Sequence, residues 1–217
     1  MNQWLKRDCD NWAAALLAIL LVALSLRVVQ LERQPLWWDE GNNVYFSHQT
    51  LLSLVSETHI TNDTDPPVYR LVLGAWRAVA GSSPFAVRLF SALLGIVAIA
   101  LAWAIGCWLA DKRVAALAAL FIALTPIQLY YARESKGYVL AMVCSLLSVY
   151  VWGRKLGYLS LSSMRHSCSA GWWIVYVLST TAAIGIHYYM ALLILWQGFW
   201  VVRLTFISPW KGKEWDG

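Results

Sequence analysis

The sequence predicts an all-α integral membrane protein of about six transmembrane helices, with one large polar loop after the first. Three observations carry that prediction. Hydrophobic residues make up 59% of the 217 positions and charged residues only 13%, whereas a soluble domain carries about 25% charged residues. The apolar residues are gathered into long runs separated by short polar segments. Fourteen Trp and ten Tyr suit the aromatic belts that form where membrane helices meet water.

The first run covers residues 12–26 and falls short of the ~20 residues that span a bilayer. Val28, Val29 and Leu31 extend it past Arg27, whose guanidinium is expected to snorkel toward water. Lys6 and Arg7 ahead of the run also fit a signal peptide, but no small-residue cleavage site closes it, so an uncleaved helix is expected. Residues 32–85 are polar and too long for a plain connector. Three short helices are expected there: one beginning at Asp39, one at Thr50, and one capped by Asp65 with Pro66 at its first position, running to Ala80. Arg70 and Arg77 are seven apart and share one face of the last. That helix is expected to lie at the membrane interface, with Arg77 peripheral to any site.

Five more spans follow over residues 88–110, 113–130, 137–152, 172–186 and 190–202, with Asp111, Lys112 and Arg113 as a tight connection. The continuous run 172–202 would be ~46 Å long as one helix, against a hydrocarbon core of ~30 Å, and is therefore divided at His187. Residues 1–217 form a single transmembrane domain, within which residues 32–87 are the first extracytoplasmic loop. Lys6, Arg7, Lys112, Arg113, Arg154 and Lys155 fall in short segments on one side. By the positive-inside rule that side and the N-terminus are cytoplasmic.

The net charge of +5 comes without a basic tract, which argues against a nucleic-acid partner. Cys9, Cys107, Cys144 and Cys168 have no CxxC spacing, so neither a disulfide framework nor a zinc site is expected.

The topology brings four polar clusters to the extracytoplasmic face: Trp38-Asp39-Glu40, residues 63–67, Arg133 to Tyr138, and His187-Tyr188. A carboxylate at a membrane surface serves as a base or a metal ligand, and neighbouring cations suit a phosphate. Together these describe a site for a lipid-phosphate substrate. Blander readings compete. Asp39 fits a helix cap as well as a catalyst, and Asp65 before two prolines fits a cap better. Arg133 and Lys136 could rest on lipid headgroups, and a His in a tight turn is more often structural than a ligand.

Several stretches resemble a known family. They are Arg27 through Glu40 (RVVQLERQPLWWDE), Asp65-Pro66-Pro67-Val68-Tyr69, Phe85 through Leu93 (FAVRLFSAL), Tyr131 through Tyr138 (YARESKGY), and His187-Tyr188-Tyr189. In this order they are similar to the bacterial polyprenyl-phosphate-sugar glycosyltransferases of the GT-C superfamily. Relatives of those enzymes include the polyprenyl- or dolichyl-phosphate-mannose protein mannosyltransferases and the lipid A aminoarabinose transferases. The resemblance implies a multi-pass enzyme of the cell membrane that moves a sugar from a polyprenyl-phosphate donor to an extracytoplasmic acceptor hydroxyl on a glycan, lipid or protein. It implies Asp39 as catalytic base with Glu40 beside it, and Lys136 on the donor phosphate; Arg133 or Arg88 is expected to assist Lys136 as a neighbouring cation. Asp65, Glu134, Tyr138, His187 and Tyr188 then belong to the substrate pocket. No cofactor is certain, with Asp39, Glu40 and His187 as candidate ligands for a divalent metal. Family members commonly carry His or Lys directly before the Pro pair, where this chain has Asp65. They are also longer, so the resemblance implies the N-terminal portion of such an enzyme. Two rival readings are a transporter or lipid-binding membrane protein without chemistry, and an inactive glycosyltransferase remnant. Charges gathered at one membrane edge rather than at its middle favour an interfacial enzyme site.

Overall fold

The computed structural model describes residues 3–50, 52–54, 66–156 and 170–206. Within them the regular structure is helical and no strand occurs. The elements are α1 (Gln3–Val28), α2 (Trp38–Phe46), α3 (Val68–Ala80), α4 (Pro84–Leu109), α5 (Lys112–Leu124), α6 (Pro126–Tyr131), α7 (Tyr138–Leu156), α8 (Ala170–Ile186), a 3-10 turn (Tyr188–Met190) and α9 (Ala191–Phe206). Two stretches are long and apolar enough to cross a membrane, Asn11–Val28 in α1 and Pro84–Leu109 in α4. Shorter apolar stretches occupy Tyr138–Arg154 and Gly171–Ile186. The chain is an all-α membrane protein.

Helix α4 is central, packing on α1, α3, α5 and α7, while α8 packs on α7 and α3. It starts where Pro84 stands at the first helical position and the Ser83 hydroxyl accepts the Ala86 N–H at 3.1 Å. Asp111 caps α5 by accepting the N–H groups of Arg113 and Val114, which makes the α4–α5 connection as tight as its sequence implied. The two helices approach through small residues. A methyl group on Gly106 would stand 2.6 Å from the Ala115 Cα, and Ala98, Ala102, Ala115, Ala119 and Ala123 are buried nearby or along the same pair. In lipid, where helices gain little from leaving the solvent, such close backbone contact is a main source of attraction. Across α7, α8 and α9 a polar seam runs through the Ser148 and Thr180 hydroxyls at 2.7 Å, the Gln197 amide on Ser148 at 3.1 Å, and the Tyr176 hydroxyl on Gln197 at 2.9 Å.

The third expected span is not one continuous helix. It breaks at Thr125 between α5 and α6, because Pro126 lacks the N–H that would have bonded Ile122 and its ring crowds that carbonyl. The carbonyls freed at the end of α5 are met from α1. Arg27 donates to Ala123 O and Ile122 O, both at 3.1 Å. Its guanidinium therefore does not snorkel. It is 1% exposed and caps the C-terminus of α5 from within the bundle. Arg27→Leu removes both charge-assisted bonds, each contributing about 1.5–3 kcal/mol. It should lower the thermal midpoint in detergent by several degrees, and an unchanged midpoint would refute the capping role.

Helix α3 carries Arg70 and Arg77 on one face as expected, but that face is turned inward, with the two residues 3% and 7% exposed. Arg77 donates to Val44 O at 2.8 Å, to Ser82 Oγ at 2.7 Å and to Ser47 Oγ, and pairs with His48 Nε2 at 2.6 Å. It is a structural clamp between α2, α3 and the turn before α4, not a peripheral charge. Of the helix expected from Thr50, residues 52–54 are helical. The cap expected at Asp65 lies outside the described residues. Beneath the polar end of the bundle, Tyr69, Leu73, Val87, Leu140, Ala141 and Ile186 form an apolar cluster joining α3, α4, α7 and α8.

Candidate functional site

Helix α2 begins at Trp38, with Trp37 in extended conformation as its N-cap. Asp39 is therefore not the cap expected from sequence but the second residue of the first turn. The reach back to the Trp37 N–H is made by Glu40, at 3.4 Å. Two acidic side chains in a first turn are favoured by the partial positive charge of a helix N-terminus.

These two neighbours part completely in environment. Glu40 is 0% exposed. Its Oε1 accepts Arg88 Nε at 2.9 Å and the Ser135 N–H at 2.8 Å, and its Oε2 accepts Arg88 Nη2 at 2.6 Å. Arg88 spends its remaining donors on the carbonyls of Leu31, Gln34 and Pro35, at 2.7, 2.8 and 3.1 Å. One ion pair thus binds the chain leaving α1, the top of α4 and the segment before α7 to the start of α2. Asp39, by contrast, has a side chain 48% exposed, and its Oδ2 accepts Lys136 Nζ at 2.8 Å. The ammonium lies over the Trp37 ring at 4.2 Å and near the Tyr138 ring at 5.7 Å. Burial alone would lower the Lys136 pKa, but the hydrogen bond and charge of Asp39 outweigh it and leave the group raised. The pair accordingly persists through neutral pH and is lost as pH climbs through that raised value.

The position of Lys136 is set by the residue before it. Besides the bond from its N–H to Glu40, Ser135 accepts Asn43 Nδ2 on its carbonyl and shares a hydroxyl contact with Tyr69, both at 3.1 Å. Burial pushes the Tyr69 phenol well above its ordinary range, so it stays protonated and able to hydrogen-bond.

Asp39, Lys136, Tyr138 and His187 line one cleft of about 320 Å³, joined by Asn42 and Arg70. His187 presents a buried Nδ1 without a hydrogen-bond partner. Glu40, Arg88, Arg133 and Glu134 line a second cleft, of about 620 Å³. Tyr188 is 62% exposed on the 3-10 turn and lines neither cleft. Asp65 lies outside the described residues. Asp39, Glu40 and His187 do not form a ligand set, because both Glu40 oxygens are committed to Arg88, and no group of three His, Cys, Asp or Glu gathers among the described residues. Asn42, Tyr69 and Arg70 went unassigned from sequence. For Asn42 a signal existed, since it follows Asp39 by three and shares its helix face.

The sequence profile of the dolichyl-phosphate-mannose-protein mannosyltransferase family matches residues 64–210, more than half of the chain. The chain belongs to that family. Neither a curated protein nor a solved structure matches it. The family resemblance read from the sequence is thereby borne out, and this mannosyltransferase-family chain is a membrane glycosyltransferase in type. Arg88, Lys136, Tyr138 and His187 fall inside the matched stretch, while Asp39 and Glu40 precede it.

Proposed function

We propose that this chain transfers a sugar, with inversion, from a polyprenyl-phosphate donor to an acceptor hydroxyl on the extracytoplasmic face of the cell membrane. The observation that carries the reading is the Asp39–Lys136 pair, a half-exposed carboxylate and an ammonium 2.8 Å apart on the wall of one cleft. Asp39 takes the proton of the acceptor hydroxyl as its oxygen attacks the anomeric carbon. The bond from that carbon to the phosphate oxygen breaks, and its electron pair leaves with the lipid phosphate. Lys136 neutralises the charge gathering there. Acceptor hydroxyl and donor phosphate each take one half of the pair, and Tyr138 and His187 flank the sugar. Glu40 and Arg88 hold this arrangement rather than react, since each is already saturated by the other and by backbone. The loop over residues 32–87 supplies the base within a single transmembrane domain whose N-terminus is cytoplasmic.

The test is incorporation of label from a radiolabelled polyprenyl-phosphate sugar in proteoliposomes, followed against donor concentration. Lys136→Ala should lower donor affinity or turnover by roughly 10- to 150-fold, the value of one charge-assisted hydrogen bond. Arg113→Ala, an exposed position at the other end of the bundle, should be close to wild type. Equal and small effects of the two would remove Lys136 from the phosphate site.

A further inference from the structure

The larger cleft shares no lining residue with the Asp39 cleft, and the reaction proposed above leaves it unused. Arg88 and Glu40 cancel each other on its wall, which leaves Arg33, Arg133 and Glu134. Arg33 Nη1 donates to Gln30 Oε1 at 3.1 Å, and Arg133 Nη2 donates to Val29 O at 2.7 Å. Two guanidiniums are thus moored on consecutive residues just past α1, each by a single nitrogen, and neither has an ion-pair partner among the described residues. Gln30, which holds one of them, has φ +60, and among the described residues it is the one non-glycine in the left-handed region. Strain of that kind collects at ligand clamps, where surrounding contacts over-determine the backbone.

The rest of the wall says what the ligand looks like. Leu31, Pro126 and Leu129 give it an apolar edge, and the adjoining α6 leaves Ile127 and Tyr130 exposed at 56% and 57%. An apolar edge beside two guanidinium forks fits a phosphate carried on a lipid chain. Three arginines against two glutamates leave the cleft a net charge of +1, which matches a singly charged phosphodiester. Glu134 is 9% exposed, the Tyr130 hydroxyl of the same cleft is directed at its carboxylate, and its Oε2 has no hydrogen-bond partner, so the group suits a further hydroxyl on the same headgroup. We propose that this cleft is a second lipid site, distinct from the Asp39–Lys136 pair, for a phosphodiester lipid with a hydroxylated headgroup. Arg33 and Arg133 hold the phosphate, and Glu134 receives the hydroxyl. The chemistry is shared by a hydroxylated membrane phospholipid and by a lipid-phosphate sugar.

Native mass spectrometry of the purified chain, released from micelles containing one lipid at a time, tests it. The probes are phosphatidylglycerol, a short-chain polyprenyl phosphohexose and phosphatidylcholine. Wild type should retain at least one of the first two and discriminate against phosphatidylcholine. Arg33→Gln with Arg133→Gln should weaken that retention about tenfold or more, whereas Lys136→Ala should leave phosphatidylglycerol retention unchanged. Arg33→Gln alone, at an exposed position, should show a smaller loss in the same direction with no change in thermal midpoint. Retention of phosphatidylglycerol that the arginine variants lose identifies a membrane phospholipid as the occupant, and retention of the phosphohexose that the arginine variants lose while Lys136→Ala keeps part of it identifies a donor-type lipid. Equal binding of phosphatidylcholine, or wild-type retention by the arginine variants, overturns the second site. Loss of the phosphohexose in Lys136→Ala only, with the arginine variants unaffected, also overturns it while leaving the proposed transfer reaction standing.

Discussion

Asp39→Asn should abolish sugar transfer while leaving the protein folded and inserted. The substitution keeps the shape of the side chain and its place in the first turn of α2, and it removes only the charge and the proton-accepting capacity. Loss of a positioned general base costs about 10²- to 10⁴-fold in rate. The stability cost should be small, because the Asp39 side chain is 48% exposed and ion pairs open to solvent contribute about 0–1 kcal/mol. The measurements are turnover in proteoliposomes and the thermal midpoint in detergent, made on one preparation. Turnover within a few-fold of wild type would remove Asp39 from the mechanism. A collapsed midpoint would instead mean that Asp39 is structural.

Glu40→Ala, one residue along, should do the opposite. It strands the Arg88 guanidinium and the Ser135 N–H in a dry interior, since Glu40 is 0% exposed and meets both. Breaking one partner of a buried ion pair costs about 3–5 kcal/mol, enough to shift the thermal midpoint far more than Asp39→Asn or Arg27→Leu. Because Ser135 directly precedes Lys136, activity should fall together with stability. Glu40→Gln separates holding from chemistry. It preserves the shape and one acceptor oxygen but not the charge that pairs with Arg88, so it should recover part of the stability and a matching part of the transfer. A variant with normal stability and no transfer would return Glu40 to the catalytic machinery. Normal stability in Glu40→Ala would show that the pair does not hold the site.

The membrane class and the two long apolar stretches, Asn11–Val28 and Pro84–Leu109, were legible because they rest on local chemistry. An apolar run of sufficient length is costly anywhere but in lipid, and its limits follow from the chain itself. The tight connection at Asp111 was readable for the same reason, since its cap acts on backbone within three residues. The Thr125-Pro126 break was equally local, and its signal was the proline itself. Asp39 and Glu40 could be singled out as costly acids at a membrane edge, and the resemblance put Asp39 first, but the side chains themselves give no reason why one should be buried and the other open. Their environments diverge because Arg88, 48 positions away, reaches one, and Lys136, 97 positions away, reaches the other. In the same way Arg27 reads as a snorkelling cation until Ile122 and Ala123, 95 and 96 positions on, offer it freed carbonyls. Arg77 reads as peripheral until Val44 and Ser47 close over it. Local pattern determines which side chains must avoid lipid. Which of them meet is decided by packing between distant segments, because a buried charge takes whatever partner the fold brings within about 3 Å.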